Sequence, residues 1–475
     1  DGITGSGKNR RVIFKSIFLN FLFGTSLFVN DVKGENYYYT SELAKTFHYQ
    51  VYALDLRNPK KSVHYNFLQP IINAYEDKDT AKAIDCTWDL VAALVGEPKG
   101  EPIWTNGETS SIAAAILSIV WEAPIEYKNM VNVYFFIANM CKPDDEGMPL
   151  SRFLEKLPTT HPARSVFAMA EMAHFRTRSS FFVSALGTLK LFTNPFIAEM
   201  TSKSDFDLKD LTKEKSILYL ILPDEKKTMY SIATLLITQL YMQQVELANK
   251  NGGRIPIGFN YFIDEAGNCP MIPILETGTT AGRSRGIGFH LFVQSYFQLK
   301  KIYKDSYETI KTNCEVKIHL KADDEITLKE ISTRLDTYTV ETASASTSIS
   351  DGKKNDASYS SSAAMTSRAL LTPGEVGRFE SPDALVMFTS KFPAITKLTD
   401  ISNSYINELF GLGNETHNQE LIMKRESKRK EREIIEMIPL WEIWKMYEIK
   451  EEELLFQKPQ EQVEVLSPKK KNSFL

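Results

Sequence analysis

Two short stretches carry residue types that could handle a phosphate. The first is DGITGSGKNRR, residues 1–11, in which Gly2, Gly7 and Lys8 keep the spacing G-x-x-x-x-G-K. Glycines let a backbone curl so that successive N–H groups and a following helix N-terminus face an anion, and a lysine here reaches the outer phosphates. Position 9, where a Ser or Thr hydroxyl would hold magnesium, is Asn9. Taken alone, the stretch also reads as a glycine turn capping a helix. The second stretch is GFNYFIDEAGN, where Asp264 and Glu265 directly follow an apolar run, the strand end at which open α/β sheets bind ligands. There Asp264 would hold the magnesium shell and Glu265 would orient or polarise an attacking water. An acidic strand end is common by itself. Together with a glycine-lysine loop in the same chain, it makes a nucleotide site the better reading.

The elements that must position these residues are legible as apolar runs at 26–30, 50–56, 216–222, 259–264, 288–294, 315–321 and 384–388, most of them separated by helical patterns. Continuously apolar strands alternating with helices predict a mostly parallel sheet covered on both faces, an α/β architecture. Residues 65–205 contain helical stretches and no convincing strand, which predicts an all-α domain inserted into the α/β domain. Pro98, Pro102, Pro124, Pro143, Pro158 and Pro195 punctuate it. Residues 341–368 are rich in Ser, Thr and Ala and read as an exposed, mobile loop. From about Lys397 the chain reads as charged and helical, with a disordered tail from Lys458. KRESKRKERE (424–433) suggests a solvated helix, and the apolar stripe bearing Trp441, Trp444 and Tyr447 suits a partner helix or packing on the body.

A chain of 475 residues with 43% hydrophobic and 24% charged content has material for large cores and more than one domain. Its net charge of -4 creates no global basic field, so any nucleic-acid contact rests on local patches. Four dispersed cysteines and seven histidines without H-E-x-x-H spacing imply a reducing compartment and no structural zinc. The apolar stretch 12–29 has near-membrane character, but Lys15 and Asn20 interrupt it and Gly24 splits it into a helix and a strand.

The neighbourhoods of these residues resemble the type IV secretion coupling proteins, the TraG/TraD family of conjugation ATPases. FVNDVKGE resembles that family's strand-D-P-K-G-E segment with Val32 for proline, and KSVHYNFL the lead into its helical insertion. IDEAGNCPMIPILET resembles its Walker B strand and D-E-F-x-N-x-G-x-I-P, with Ala266 and Cys269 as departures. TTAGRSRGIGFHLFVQSYFQLKKIY and LLTPGEVGRFESPDALVMF resemble the R-S-R-G-I, Q-S and closing L-L-T segments. Their order is more specific than any one of them.

The resemblance implies a RecA-like P-loop NTPase fold with an inserted all-α domain, divided as 1–64, 65–205, 206–398 and 399–475. It implies an ATP-dependent subunit that passes single-stranded DNA with its relaxase, or protein substrates, to a secretion channel. It also implies a hexamer held at the inner membrane by an N-terminal anchor. The cofactors would be ATP and Mg2+. Gly2, Thr4, Gly5, Ser6, Gly7, Lys8, Asn9 and Arg10 would bind nucleotide, with Asp264 and, weakly, Asn9 on the metal. Lys8, Glu265, Gln294 and Arg285 would act catalytically, Gln294 as the polar sensor on the strand beside Walker B. Arg283 or Arg285 would be supplied in trans across a ring interface, although either could make a structural ion pair. A strand ordinarily leads into such a loop and none stands before Asp1, so the expectation is a truncated chain whose strand and anchor lie upstream. Asn9 sustains a second expectation, a nucleotide-binding docking scaffold with little hydrolysis, because an amide oxygen is a poorer magnesium ligand than a hydroxyl.

Overall fold

The computed structural model describes residues 1–3, 5–96, 100–143, 147–349, 357–433 and 437–447. Its centre is a five-stranded sheet in the order β2-β3-β1-β4-β5. The strands are β1 (Ser26–Val32), β2 (Gln50–Asp55), β3 (Ser216–Leu222), β4 (Phe259–Ile263) and β5 (Ile287–Leu291). All four pairings are parallel. On β3 the alternation is complete: Leu218, Leu220 and Leu222 enter one core, while Ile217, Tyr219 and Ile221 enter the other. That two-sided burial is why the run SILYLIL contains no polar position between its ends.

The stretch 12–29 resolves as its sequence predicts. The helix Phe14–Phe23 ends at Gly24, which takes φ +69, and β1 follows at once. Only glycine takes this left-handed position at low cost, and it turns the chain directly into the sheet. No helix among the described residues is long and apolar enough to cross a membrane.

Between β2 and β3 the described residues form eight α-helices of six residues or more, the longest being Pro102–Glu122. From Ser110 to Val120 this helix is buried on every side. Its three interior serines satisfy themselves by bonding to backbone carbonyls, Ser111 to Gly107, Ser118 to Ala114 and Ser110 to Val166. Pro102, Pro149, Pro162 and Pro195 each open a helix, where a missing N–H costs nothing.

A second sheet, order β10-β9-β6, is antiparallel and combines β6 (Val316–His319), β9 (Asp383–Phe388) and β10 (Ala394–Lys397). Residues 1–3 join the two sheets. Asp1 donates to Ile318 and accepts from Leu320, Gly2 donates to Val293, and Ile3 donates to Lys321. Bonding alternately to opposite sides is the pattern of a strand lying between β5 and β6. Alongside it, a cleft of about 1070 Å³ separates the β5 edge, with Phe289 and Leu291, from the β6 edge, with Val316 and Ile318.

Two expectations are corrected. Within 341–368, the described residues 341–349 and 357–368 are strands and not a loop: β7 (Thr337–Ile349) and β8 (Ala357–Ala369) pair antiparallel from Thr337↔Ala369 to Ile349↔Ala357. Small polar residues were read as a sign of irregular chain, yet Thr and Val suit a pleated ribbon. Ser344 and Ser362 also hydrogen-bond across it at 2.8 Å. The ribbon is exposed, as its composition implies.

The second correction concerns 424–433, whose helix ends at Ser427. Arg429 is then buried against Asp55 at 2.6 Å, and Arg432 contacts His64 and Glu199. Beyond it, Trp441 stacks on Phe136 at 6.0 Å and Trp444 is buried, so of the two expectations for the aromatic stripe the packing on the body is the one observed. The tail expected to be disordered from Lys458 lies outside the described residues.

Candidate active site

The glycine-lysine loop lies at the C-terminal end of the parallel sheet. Gly5 and Gly7 have φ +79 and +78, a left-handed pair that curls the chain and that side chains resist. Gly2 is constrained differently: a Cβ there would stand 2.5 Å from Ser6 Oγ, so the Ser6 side chain would have to move. Among the described residues the N–H groups of Gly5 and Gly7 have no acceptor. Thr4 lies outside the described residues. Asn9–Ile13 form a widened helical turn that runs into Phe14–Phe23, so the helix N-terminus faces the loop.

Arg11, unremarkable in the sequence, braces this loop from behind. It is 3% exposed, and its guanidinium donates to the carbonyls of Ser6, Pro382, Asp383 and Leu398. Arg10 instead points outward to Asp400 at 3.9 Å. Its geometry favours a surface ion pair over the nucleotide contact the sequence suggested.

Across from the loop, β4 ends in Asp264 and Glu265. Lys8 Nζ lies 3.3 Å from Glu265 Oε1, and the other oxygen accepts from Gln294 at 2.9 Å and Asn268 at 3.2 Å. Glu265 sits at φ +52, an uncommon conformation for a residue with a side chain, which turns its carboxylate toward Lys8. Gln294 reaches it because β5 runs parallel beside β4, and the ladder continues through Phe292 N–H to Ile263 and Ala266 N–H to Phe292.

Asp264 is buried behind this group, and burial pushes its carboxyl up to about 7 against the opposing pull of Lys8. Asn30 on β1 fixes the same turn by donating to the Asp264 carbonyl at 2.8 Å. Asp31 is buried beside Asn30 and accepts from the N–H groups of Asn36 and Tyr37, but burial still pushes it up to about 8. Buried carboxyls held so far above their ordinary range mark a region short of positive charge. Hard oxygen donors beside unclaimed loop amides fit a divalent cation and an anionic phosphate chain.

Lys8, Asp264, Glu265 and Gln294 are thus brought together, and Asn9 stands next to them at the helix start. The two arginines are not. The helix Leu275–Arg285 carries them back to the start of β5, roughly 17 Å of strand away from the Glu265 end. Arg283 pairs with Glu315 on the exposed surface, and Arg285 donates to the Ala281 carbonyl at 3.3 Å. Sequence reading missed Arg11, Asn30, Asn268 and Glu35, the last of which accepts from Asn9. Asn268 had a signal as the N of the quoted D-E-F-x-N pattern, and Asn30 and Glu35 had one in the quoted FVNDVKGE segment; Arg11 had none.

Residues 2–399 match the family model described as Type IV secretory system Conjugative DNA transfer. Protein VirD4 of Rhizobium radiobacter is 23% identical over 412 residues, covering 86% of this chain and 57% of the relative. Protein VirD4 of Agrobacterium fabrum is also 23% identical, with 59% of its length covered. The chain therefore spans less than two thirds of these relatives. Among solved structures, the conjugative coupling protein TrwBdeltaN70 in complex with sulphate aligns with TM-score 0.60 at 16% identity, covering 84% of each chain. TrwB in complex with ADP and Mg2+ aligns with TM-score 0.56, again at 16% identity and 84% coverage of each chain. At that identity the likeness establishes the fold, a RecA-like α/β unit with a helical region. With the model spanning most of its length, the chain belongs to the type IV secretory system conjugative DNA transfer family.

Proposed function

We propose that this protein is an ATP-hydrolysing coupling subunit that drives single-stranded DNA, with its relaxase, or protein substrates toward a type IV secretion channel. The observation that carries the reading is the Lys8–Glu265–Gln294 cluster, set between a glycine loop with unclaimed amides and a buried Asp264. Phosphoryl transfer asks for positioning and charge stabilisation more than for covalent help, and these residue types supply both. The TrwB structures with ADPNP and with ADP and Mg2+ make ATP and Mg2+ the natural ligands to test.

In this reading the Gly2–Lys8 loop cradles the phosphates through its N–H groups, and Lys8 leaves Glu265 to reach the outer ones. Released from Lys8, Glu265 orients the attacking water and accepts its proton, while the Gln294 amide holds the carboxylate in line. Asp264 and Asn9 would hold Mg2+, which supplies charge neutralisation across the phosphates. Arg285, too far to serve its own site, serves the neighbouring subunit of a hexameric ring, with Arg283 the less favoured candidate. The division into segments 1–64, 65–205, 206–398 and 399–475, the helical segment as a substrate-docking unit, and attachment to the inner membrane belong to the same proposal.

Asn9 supports one second reading, a docking scaffold that binds nucleotide with little turnover. ATP hydrolysis measured with and without single-stranded DNA for the parent, Lys8→Ala and Asn9→Thr separates the two. Turnover in the parent that is lost in Lys8→Ala supports the motor. An inactive parent rescued by Asn9→Thr supports the scaffold, and no nucleotide binding by any variant refutes both.

A further inference from the structure

Asn9 is the one departure from the expected loop chemistry, and its surroundings answer it. Asn9 Nδ2 donates to Glu35 Oε2 at 2.8 Å. Glu35 opens the helix Glu35–Thr46, delivered there by the tight turn at Gly34, whose φ is +84. The two residues are 26 positions apart and meet because β1 ends beside the loop.

A primary amide has a donor end and an acceptor end of nearly equal size, so an unconstrained Asn can present either to a ligand. A carboxylate only accepts, and turning the Asn9 carbonyl toward Glu35 would bring two acceptors together. Glu35 therefore selects one orientation, with the N–H₂ end held and Oδ1 directed away from Glu35. Among the described residues no donor takes Asn9 Oδ1. Glu35 is also close enough to Asp264 to act on it electrostatically, as a minor contribution beside burial. The charge-assisted bond, though exposed, thus lies near the Asp264 carboxyl.

We propose that Glu35 is the positioning residue for Asn9: it fixes the amide so that Oδ1 replaces the Ser or Thr hydroxyl as an oxygen ligand for the divalent cation accompanying the nucleotide. This rests on the nucleotide-site reading above. It turns the departure at position 9 into a two-residue device, an amide oxygen made equivalent to a hydroxyl by a partner that claims its other end. Outer partners that orient ligands in this way are worth about 10- to 100-fold in metal affinity.

The test is equilibrium binding of a fluorescent, non-hydrolysable ATP analogue, titrated with Mg2+ and repeated in EDTA. The proteins are the parent, Glu35→Ala, Glu35→Gln, Asn9→Thr and the double variant, with far-UV circular dichroism confirming that each folds. In Glu35→Ala the half-saturating Mg2+ should rise about tenfold or more, with metal-free affinity changed less than about threefold. Glu35→Gln, whose amide can accept from Asn9 Nδ2 or donate to Asn9 Oδ1 and so no longer selects one end, should recover at most part of the loss. In the Asn9→Thr background, Glu35→Ala should change nothing, because a hydroxyl has no wrong end. An unchanged Mg2+ requirement in Glu35→Ala overturns the proposal, as does an equal loss with Thr at position 9. Lost turnover at an unchanged Mg2+ requirement also overturns it, by making Glu35 act on the reaction directly. Failure of the parent to bind the analogue at all sinks the nucleotide reading, and this proposal with it.

Discussion

Lys8 and Glu265 form an ion pair of 3.3 Å in which each side chain is mostly buried, although 257 residues separate them. In the proposed reading a phosphate chain entering the loop would compete for Lys8, and the pair would act as a placeholder that frees Glu265 when nucleotide arrives. Glu265→Gln keeps the shape and the Gln294 contact but removes the base. We expect turnover to fall about 100-fold or more, with affinity for ATP retained. Steady-state hydrolysis alongside equilibrium nucleotide binding checks the split; equal losses in both would mean that Glu265 holds the loop rather than the water.

Arg285 lies at the far end of the strand from Glu265, which leads to a mixing experiment. Arg285→Ala should lose about 1000-fold in turnover, the scale of an arginine supplied in trans. Mixing it with inactive Lys8→Ala should recover part of the activity, since some interfaces then combine an intact loop with an intact arginine. Absence of any recovery in mixed oligomers, with each variant still assembling, would remove Arg285 from that role.

Asp31 and Asp264 predict how stability depends on pH. Burial raises them to about 8 and about 7, above the ordinary carboxyl value near 4, so the folded state binds more protons than the unfolded chain between those limits. Their contribution is complete at acidic pH and is lost as pH rises through the raised values. We expect the Tm without nucleotide to drop by roughly 5 °C between pH 5.5 and 8.5. Asp264→Asn, which keeps the acceptor for the Glu265 N–H, should flatten that decline. A thermal scan series whose slope is the same in parent and variant would contradict the assignment.

Arg429 and Asp55 are 7% and 2% exposed, and the guanidinium also donates to the Lys61 carbonyl. Arg429→Ala should cost about 3–5 kcal/mol in urea unfolding, because it strands a buried carboxylate. Adding Asp55→Asn should recover part of the loss. Trp441→Ala, which removes the stack on Phe136, should cost about 2 kcal/mol with little effect on nucleotide binding.

The parallel sheet was legible because its strands are buried on both faces, and a run such as SILYLIL has no other stable use. Gly5 and Gly7 were legible because backbone curvature restricts residue type at the position itself. The Asp264–Glu265 pair was legible because it ends such a run. Local constraints write themselves into local sequence. The ribbon of β7 and β8 was not, since two exposed strands need no apolar face and small polar residues satisfy ribbon and loop alike.

The sequence by itself determined the elements of the parallel sheet and the helical segment, the order of the motifs and, through that order, the family. Only the tertiary structure decided that Asn9 meets Glu35, that Arg11 holds the loop, that Arg285 lies at the far end of the strand from Glu265 and that Arg429 is buried against Asp55. Polar side chains choose partners by distance and direction in space. No periodicity along the chain records a bond between residues that the sheet, and not the sequence, makes neighbours.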